Sequence, residues 1–198
     1  MLEEKNINAY ILAGGKSSRM GSDKGLMLVH NKSLIEYVIT TIKPLTNRIY
    51  IVTDNDDYKK FNLELVPDSI KDIGPAGGIY SALQHCQTSH CVLLSCDMPF
   101  VNLKAIDFLI QLSNDFDITV PVFKGKLEPM LGVYSKNCLS SWGKLIQEKK
   151  YKLQEIFTNF NTQLLDVTNN SLFDDTFFMN VNSPEDRLVA LKKIKDEH

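Results

Sequence analysis

The run Cys91-Val92-Leu93-Leu94-Ser95-Cys96 constrains the fold more than any other stretch of the chain. Strand side chains alternate between two faces, so a run apolar on both must be covered on both. Such a strand belongs inside a largely parallel sheet with helices above and below it. The remaining sequence supplies those partners. Residues 33–42 set Leu34, Ile35, Val38 and Ile42 on one helical stripe that Pro44 ends. Helices are also expected over 77–84, 103–112, 137–150 and 153–160. Strands are expected over 7–12, 48–53, 63–66, 117–123, 130–134 and 163–167. The turn Lys124-Gly125-Lys126 leaves no room for a crossover helix, so strands 117–123 and 130–134 should pair antiparallel. A last helix is marked by Ser183 as N-cap, Pro184 at its first position, and Glu185 and Asp186 in its first turn. The 198 residues contain no linker or repeat. They predict one α/β domain over 1–198, a three-layer α/β/α Rossmann-like unit whose sheet is mostly parallel with one antiparallel strand.

Open α/β sheets bind ligands at the carboxyl ends of their strands. The first strand there delivers Leu12-Ala13-Gly14-Gly15-Lys16-Ser17-Ser18-Arg19-Met20-Gly21-Ser22-Asp23-Lys24. Gly14 and Gly15 lack Cβ atoms, so their N–H groups can approach phosphate oxygens together. Lys16, Arg19 and Lys24 add charge-assisted donors, and the loop is expected to cradle a triphosphate. It is not a dinucleotide fingerprint, because Lys16 and Arg19 stand where the second and third glycines belong. Nor is it a P-loop, since Ser22 follows Gly21 and Lys24 comes only three residues after that glycine. A bare glycine turn would explain the paired glycines but not the three cations that accompany them.

Other strand ends deliver further candidates. Asp97 follows the apolar run directly, and one carboxylate facing a triphosphate suffices to start a Mg²⁺ site. Its plainer role would be to cap the next loop. In Gly74-Pro75-Ala76-Gly77-Gly78, the glycines Gly77 and Gly78 leave an edge open to a flat base; they would equally serve a tight turn. Asp68 can accept from a base N–H, an amino group or a ribose hydroxyl, and the sequence does not choose. Asn180 and Asn182 are expected on one face of a short strand within 177–184, suited to a polar second substrate. Asn182 would otherwise order the turn before Ser183. Glu128 has a structural and a site reading of equal weight.

Charge and composition exclude several classes. A net charge of −2 opposes general binding to nucleic acid or to a membrane surface. No apolar run reaches spanning length and Met1–Asn8 lacks a signal-peptide pattern, so a cytoplasmic location is expected. Cys86, Cys91, Cys96 and Cys138 form no C-x-x-C pair, and the four histidines show no ligand spacing.

The segment Leu12 to Leu26 resembles the N-terminal signature of nucleotidyltransferases of the MobA-like group. Later segments agree in order: Gly74-Pro75-Ala76-Gly77-Gly78-Ile79, Cys96-Asp97-Met98-Pro99-Phe100, Glu128-Pro129-Met130 with Val133-Tyr134, and Asn180-Val181-Asn182-Ser183-Pro184-Glu185-Asp186. Ala76 stands where a bulkier leucine is common. The resemblance implies transfer of GMP from GTP to molybdopterin, or to its molybdenum-loaded form, with release of pyrophosphate. It implies that Leu12, Ala13 and Gly14 hold GTP through the backbone, that Lys24 binds its phosphates and that Asp68 belongs to the nucleotide site. It further implies that Asp97 carries Mg²⁺ and that Asn180 and Asn182 face the pterin. Arg19 and Lys24 would steady charge developing on the phosphates. The implied partners are other molybdenum-cofactor biosynthesis proteins and molybdoenzyme chaperones, with the chain itself expected as a monomer. The first loop is shared with cytidylyl and sugar-nucleotide transferases, which remain the alternative enzymes; a nucleotide sensor or cofactor-handling chaperone is the non-enzymatic one.

Overall fold

The computed structural model describes residues 7–14 and 23–196. In chain order its elements are β1 (Asn8–Leu12), β2 (Leu28–Val29), β3 (Lys32–Ser33), α1 (Leu34–Ile42), β4 (Arg48–Val52), β5 (Glu64–Val66), α2 (Pro75–His85) and β6 (His90–Ser95). Then follow α3 (Leu103–Gln111), β7 (Ile118–Phe123), β8 (Lys126–Leu127), β9 (Leu131–Ser135), α4 (Cys138–Gln147), α5 (Leu153–Phe157), β10 (Thr162–Asp166) and α6 (Pro184–Asp196). The main sheet has the order β10-β7-β9-β6-β1-β4-β5, with β8 paired to β7. β1 runs parallel to both β4 and β6, and β4 parallel to β5. β9 is antiparallel to β6 on one side and to β7 on the other, which the short turn at residues 124–125 requires. The hairpin adds one detail the sequence reading lacks: two-residue β8 continues the ladder along β7.

Side-chain parity divides the sheet into two buried faces. Ala9 and Ile11 of β1 join Val92 and Leu94 of β6 in a core under α1 and α3. Tyr10 and Leu12 join Cys91 and Leu93 in a second core under α2, α4 and α5. β6 is thus buried on both faces, as its composition demands. A smaller third core ties the β2–β3 hairpin to α6 through Met27, Val29, Leu34, Val181, Ala190 and Ile194.

Element starts follow local chemistry. Ser33 and Glu36 form a reciprocal capping box at α1, with Ser33 N–H donating to Glu36 Oε2 at 2.7 Å. Gly74 adopts φ 65°, a conformation side chains disfavour, and Pro75 opens α2 directly behind it. α2 therefore begins two residues before the helix expected from the glycine pair. The strand expected within 177–184 does not form. Residues 180–183 cross the end of the sheet unpaired in any ladder, held by Val181 N–H donating to the Asp97 carbonyl at 2.9 Å. Phe177 and Phe178 pack with Phe173 and Phe123 instead of alternating between two faces. Among the described residues, no helix is long and apolar enough to cross a membrane.

Candidate functional site

The strand order reverses between β1 and β6: the chain winds outward through β4 and β5, then returns beside β1. The carboxyl ends of strands at such a reversal form a natural crevice. At that end β1 hands on to Ala13 and Gly14, β5 to Asp68, and β6 to Cys96 and Asp97. Backbone bonds hold these exits in register. Ala13 N–H donates to the Val52 carbonyl at 3.0 Å, Cys96 N–H to the Leu12 carbonyl at 3.2 Å, and Thr53 Oγ1 to the Ala13 carbonyl at 3.1 Å.

On the β4–β5 side of β1 lies a cavity of about 560 Å³. Leu12, Val52, Ile70, Pro75 and Met130 give it apolar walls, while Gly14 and Gly78 open its sides. Its polar groups are mostly acidic: Asp54, Asp68 and Asp72, with Lys71 as the one basic residue among the described lining. Asp68 is the unusual member. Its Oδ1 is buried without a hydrogen-bond partner. Burial, with the nearby Asp54 charge adding to it, raises the Asp68 carboxyl above the usual carboxylate range. A Cβ placed on Gly14 would come within 3.4 Å of Asp68 Oδ2, and one on Gly78 within 3.8 Å of Oδ1. A side chain at either glycine would therefore pack directly against the carboxylate. Gly77 plays a different part from the one expected of it. It does not line the cavity; a Cβ there would lie 2.6 Å from the Ile70 carbonyl, so Gly77 lets the 69–74 loop pack against α2.

On the β6 side, Asp97 Oδ1 accepts from Ser95 Oγ at 2.5 Å. Buried Cys96 sits between the two acidic groups of this end: burial pushes its thiol up, the charges of Asp97 and Asp23 add to that, and Lys24 opposes it. Gly25 packs against the Cys96 side chain, which brings residues 23–25 beside the residue that precedes Asp97. Asp23 is anchored by the Tyr58 hydroxyl, by Asn55 Nδ2 at 3.2 Å and by Gly25 N–H at 3.2 Å. Gly25 is obligatory, because any Cβ would collide with the Tyr58 hydroxyl and touch Cys96 Sγ. Lys24 Nζ donates to Asn182 Oδ1 at 2.6 Å, and Asn182 N–H donates to Asp186 Oδ2 at 2.9 Å. The C-terminal segment therefore reaches Lys24 with a side chain and Asp97 with its backbone.

Leu12, Ala13, Gly14, Asp68 and Gly78 thus gather around β1 and the cavity, and Lys24, Asp97, Asn180 and Asn182 around its β6 side. Gly15, Lys16 and Arg19 lie outside the described residues. Glu128 is buried, paired with Lys126 at 2.6 Å, and absent from the cavity lining. Sequence reasoning missed Asp23, Tyr58, Asn55, Asp54 and Lys71. Asp23 lies within the glycine-and-cation loop, but its two side-chain anchors, Asn55 and Tyr58, are more than 30 residues away and nothing local announces them.

A mostly parallel sheet whose strand order reverses beside β1, with a glycine-opened cavity at the carboxyl ends of its strands, is the architecture of ligand-binding α/β proteins. The chain belongs to the MobA-like NTP transferase domain family, whose model matches residues 9–164. A probable molybdenum cofactor guanylyltransferase of Flavobacterium johnsoniae is 35% identical over 183 residues, covering 92% of this chain and 95% of its own. A molybdenum cofactor guanylyltransferase of Vibrio parahaemolyticus is 33% identical over 191 residues, covering 94% and 95%. The crystal structure of molybdopterin-guanine dinucleotide biosynthesis protein A from Archaeoglobus fulgidus shares the fold at a TM-score of 0.81 and 24% identity, over 96% of this chain and all of that one.

Proposed function

We propose that this chain is a guanylyltransferase that joins GMP from GTP to molybdopterin and releases pyrophosphate. The observation that carries the base assignment is the buried, unpartnered Asp68 oxygen inside an apolar-walled cavity. A carboxylate oxygen left without a donor in such a place is costly unless a ligand supplies one. Guanine presents N1–H and the 2-amino group side by side, two donors for two carboxylate oxygens. This favours the base over the ribose as the partner of Asp68. Three strand spacings separate β5 from β6, roughly 14 Å, so a nucleotide based at Asp68 would run across the end of β1 toward Asp97.

The reaction asks little covalent chemistry of the protein. A phosphate oxygen of molybdopterin attacks the α-phosphorus of GTP; the new O–P bond forms as the bond to the β-phosphate oxygen breaks and pyrophosphate departs. The nucleophile is already anionic and needs no general base. The barrier lies in bringing two polyanions together, which fixed positive charge and positioning reduce. Lys24 serves that role, oriented by Asn182, and Arg19 is proposed beside it. The oxygen donors at Asp97, one carboxylate set by Ser95, fit a hard cation that takes its remaining ligands from phosphate and water. Asp97 would hold Mg²⁺, which when bound supplies positive charge against the phosphate oxygens. Asn180 and Asn182, flanking Val181 at the sheet end, are proposed to face the pterin.

Incubation with GTP, Mg²⁺ and molybdopterin should yield the guanine dinucleotide, detected by mass, with stoichiometric pyrophosphate. A clear preference for CTP or UTP in the same assay overturns the guanylyl assignment, and no pyrophosphate with any nucleotide overturns the enzyme.

A further inference from the structure

Lys71 stands on the rim of the acidic cavity, and the nucleotide reading leaves it without a task. Its Nζ pairs with Asp54 Oδ2 at 3.0 Å, while Asp54 Oδ1 accepts from the Asp68 N–H at 3.3 Å. One aspartate thus holds the ammonium and the backbone of Asp68 on its two oxygens, so a donor and the unpartnered acceptor share one edge of the cavity. The loop that carries Lys71 is fixed at both ends. Ser69 N–H donates to Ser81 Oγ at 2.9 Å, and the Ile70 carbonyl is seated against Gly77. An ammonium has three donors, and the bond to Asp54 uses one of them.

Resting on the guanylyl reading above, we infer that Lys71 reads the base: its ammonium donates to the 6-oxo group of a guanine whose N1–H and 2-amino group are held by Asp68. A rim with a donor beside an acceptor matches the guanine edge, where the O6 acceptor adjoins the N1–H donor. Adenine carries an amino group in place of O6 and an unprotonated N1, so both contacts would be reversed. Cytosine has the same reversal. Uracil matches at its 4-oxo and N3–H but leaves one Asp68 oxygen unanswered. At Asp68 a mismatch leaves a buried oxygen unpaired, whereas at the exposed Lys71 it forfeits one charge-assisted hydrogen bond. The plainer role for Lys71 is to neutralise Asp54, and that role would not distinguish one base edge from another.

The test compares three nucleotides on the full chain and on Lys71→Met, with binding measured by calorimetry in the presence of Mg²⁺. GTP and ITP both carry the 6-oxo acceptor; 6-thio-GTP keeps N1–H and the 2-amino group but offers a poor acceptor at position 6. Lys71→Met should weaken GTP and ITP by about tenfold each and 6-thio-GTP by less than about twofold, the loss of one charged hydrogen bond. Thermal unfolding of the unliganded variant confirms that it is folded, and Lys71→Arg should restore part of the discrimination between GTP and 6-thio-GTP. An equal loss for all three nucleotides, or none for any, overturns the role of Lys71. Failure of the unaltered chain to prefer GTP over ATP, CTP and UTP would instead overturn the guanylyl reading on which it rests.

Discussion

The two sides of β1 are built differently. The cavity proposed for the base draws most of its wall from two short stretches, 52–54 and 68–78, together with Leu12, Gly14 and Met130. Its shape comes from backbone packing: a glycine at φ 65°, a proline at the helix start and a loop carbonyl lodged against Gly77. The β6 side, proposed to hold the phosphates, is assembled from residues 23–25, 95–97 and 180–182, joined by side-chain bonds such as Lys24 to Asn182 and Tyr58 to Asp23. The cavity is a shaped receptacle, whereas the phosphate side is a clasp. A receptacle selects by fit and desolvation; a clasp supplies charge that matters most as the reaction proceeds. Substitutions on the two sides should therefore divide between KM and turnover.

The sharpest test is Asp97→Asn. Removing the carboxylate proposed to hold Mg²⁺ should lower pyrophosphate release by a hundredfold or more, about 3 kcal/mol of transition-state stabilisation, with the unfolding midpoint preserved. Near-full activity would remove the clasp from the mechanism. Gly77→Ala comes next and probes the receptacle: its Cβ must displace the Ile70 carbonyl, costing about 1–3 kcal/mol in denaturant unfolding. KM for GTP should rise while kcat holds, and the opposite split would dissolve the division between the sides. Tyr58→Phe withdraws a hydroxyl from Asp23 and should cost about 1–2 kcal/mol by the same unfolding measurement, with kcat falling more than KM rises.

The smallest effect is a pH slope. Because the Asp68 carboxyl is raised in the folded chain, the fold holds its proton at pH values where the unfolded chain has released it. The unliganded protein should thus lose stability as pH rises from the ordinary carboxylate range through the raised value. Asp68→Asn should flatten that segment of the melting-temperature profile while reducing the stabilisation that GTP confers. An unchanged slope would assign the pH response to another group.

Legibility differed between the two sides for a physical reason. Gly14, Asp68 and Asp97 could be singled out because each ends a strand that its own residues announce. Gly77 and Gly78 were recognised as a pair, yet only packing separates the one that spaces a loop from the one that faces the cavity. The 177–184 segment has strand-like residues, but the packing of Phe177 and Phe178 against Phe173 and Phe123 and the bond from Val181 N–H to the Asp97 carbonyl set its path. The salt bridge of Lys71 with Asp54 spans 17 positions with no periodic signal between them.

The chain's alternation of apolar strands and amphipathic helices, and the glycine-and-cation loop after β1, were determined by the sequence alone, because those patterns follow from local geometry and residue chemistry. The reversal of strand order beside β1, the unpartnered oxygen of Asp68, the grip of Asn182 on Lys24 and the rim shared by Lys71 and Asp54 were decided only by tertiary structure. Each depends on which distant residues are brought within a few ångströms, and that is settled when the two faces of the sheet are packed.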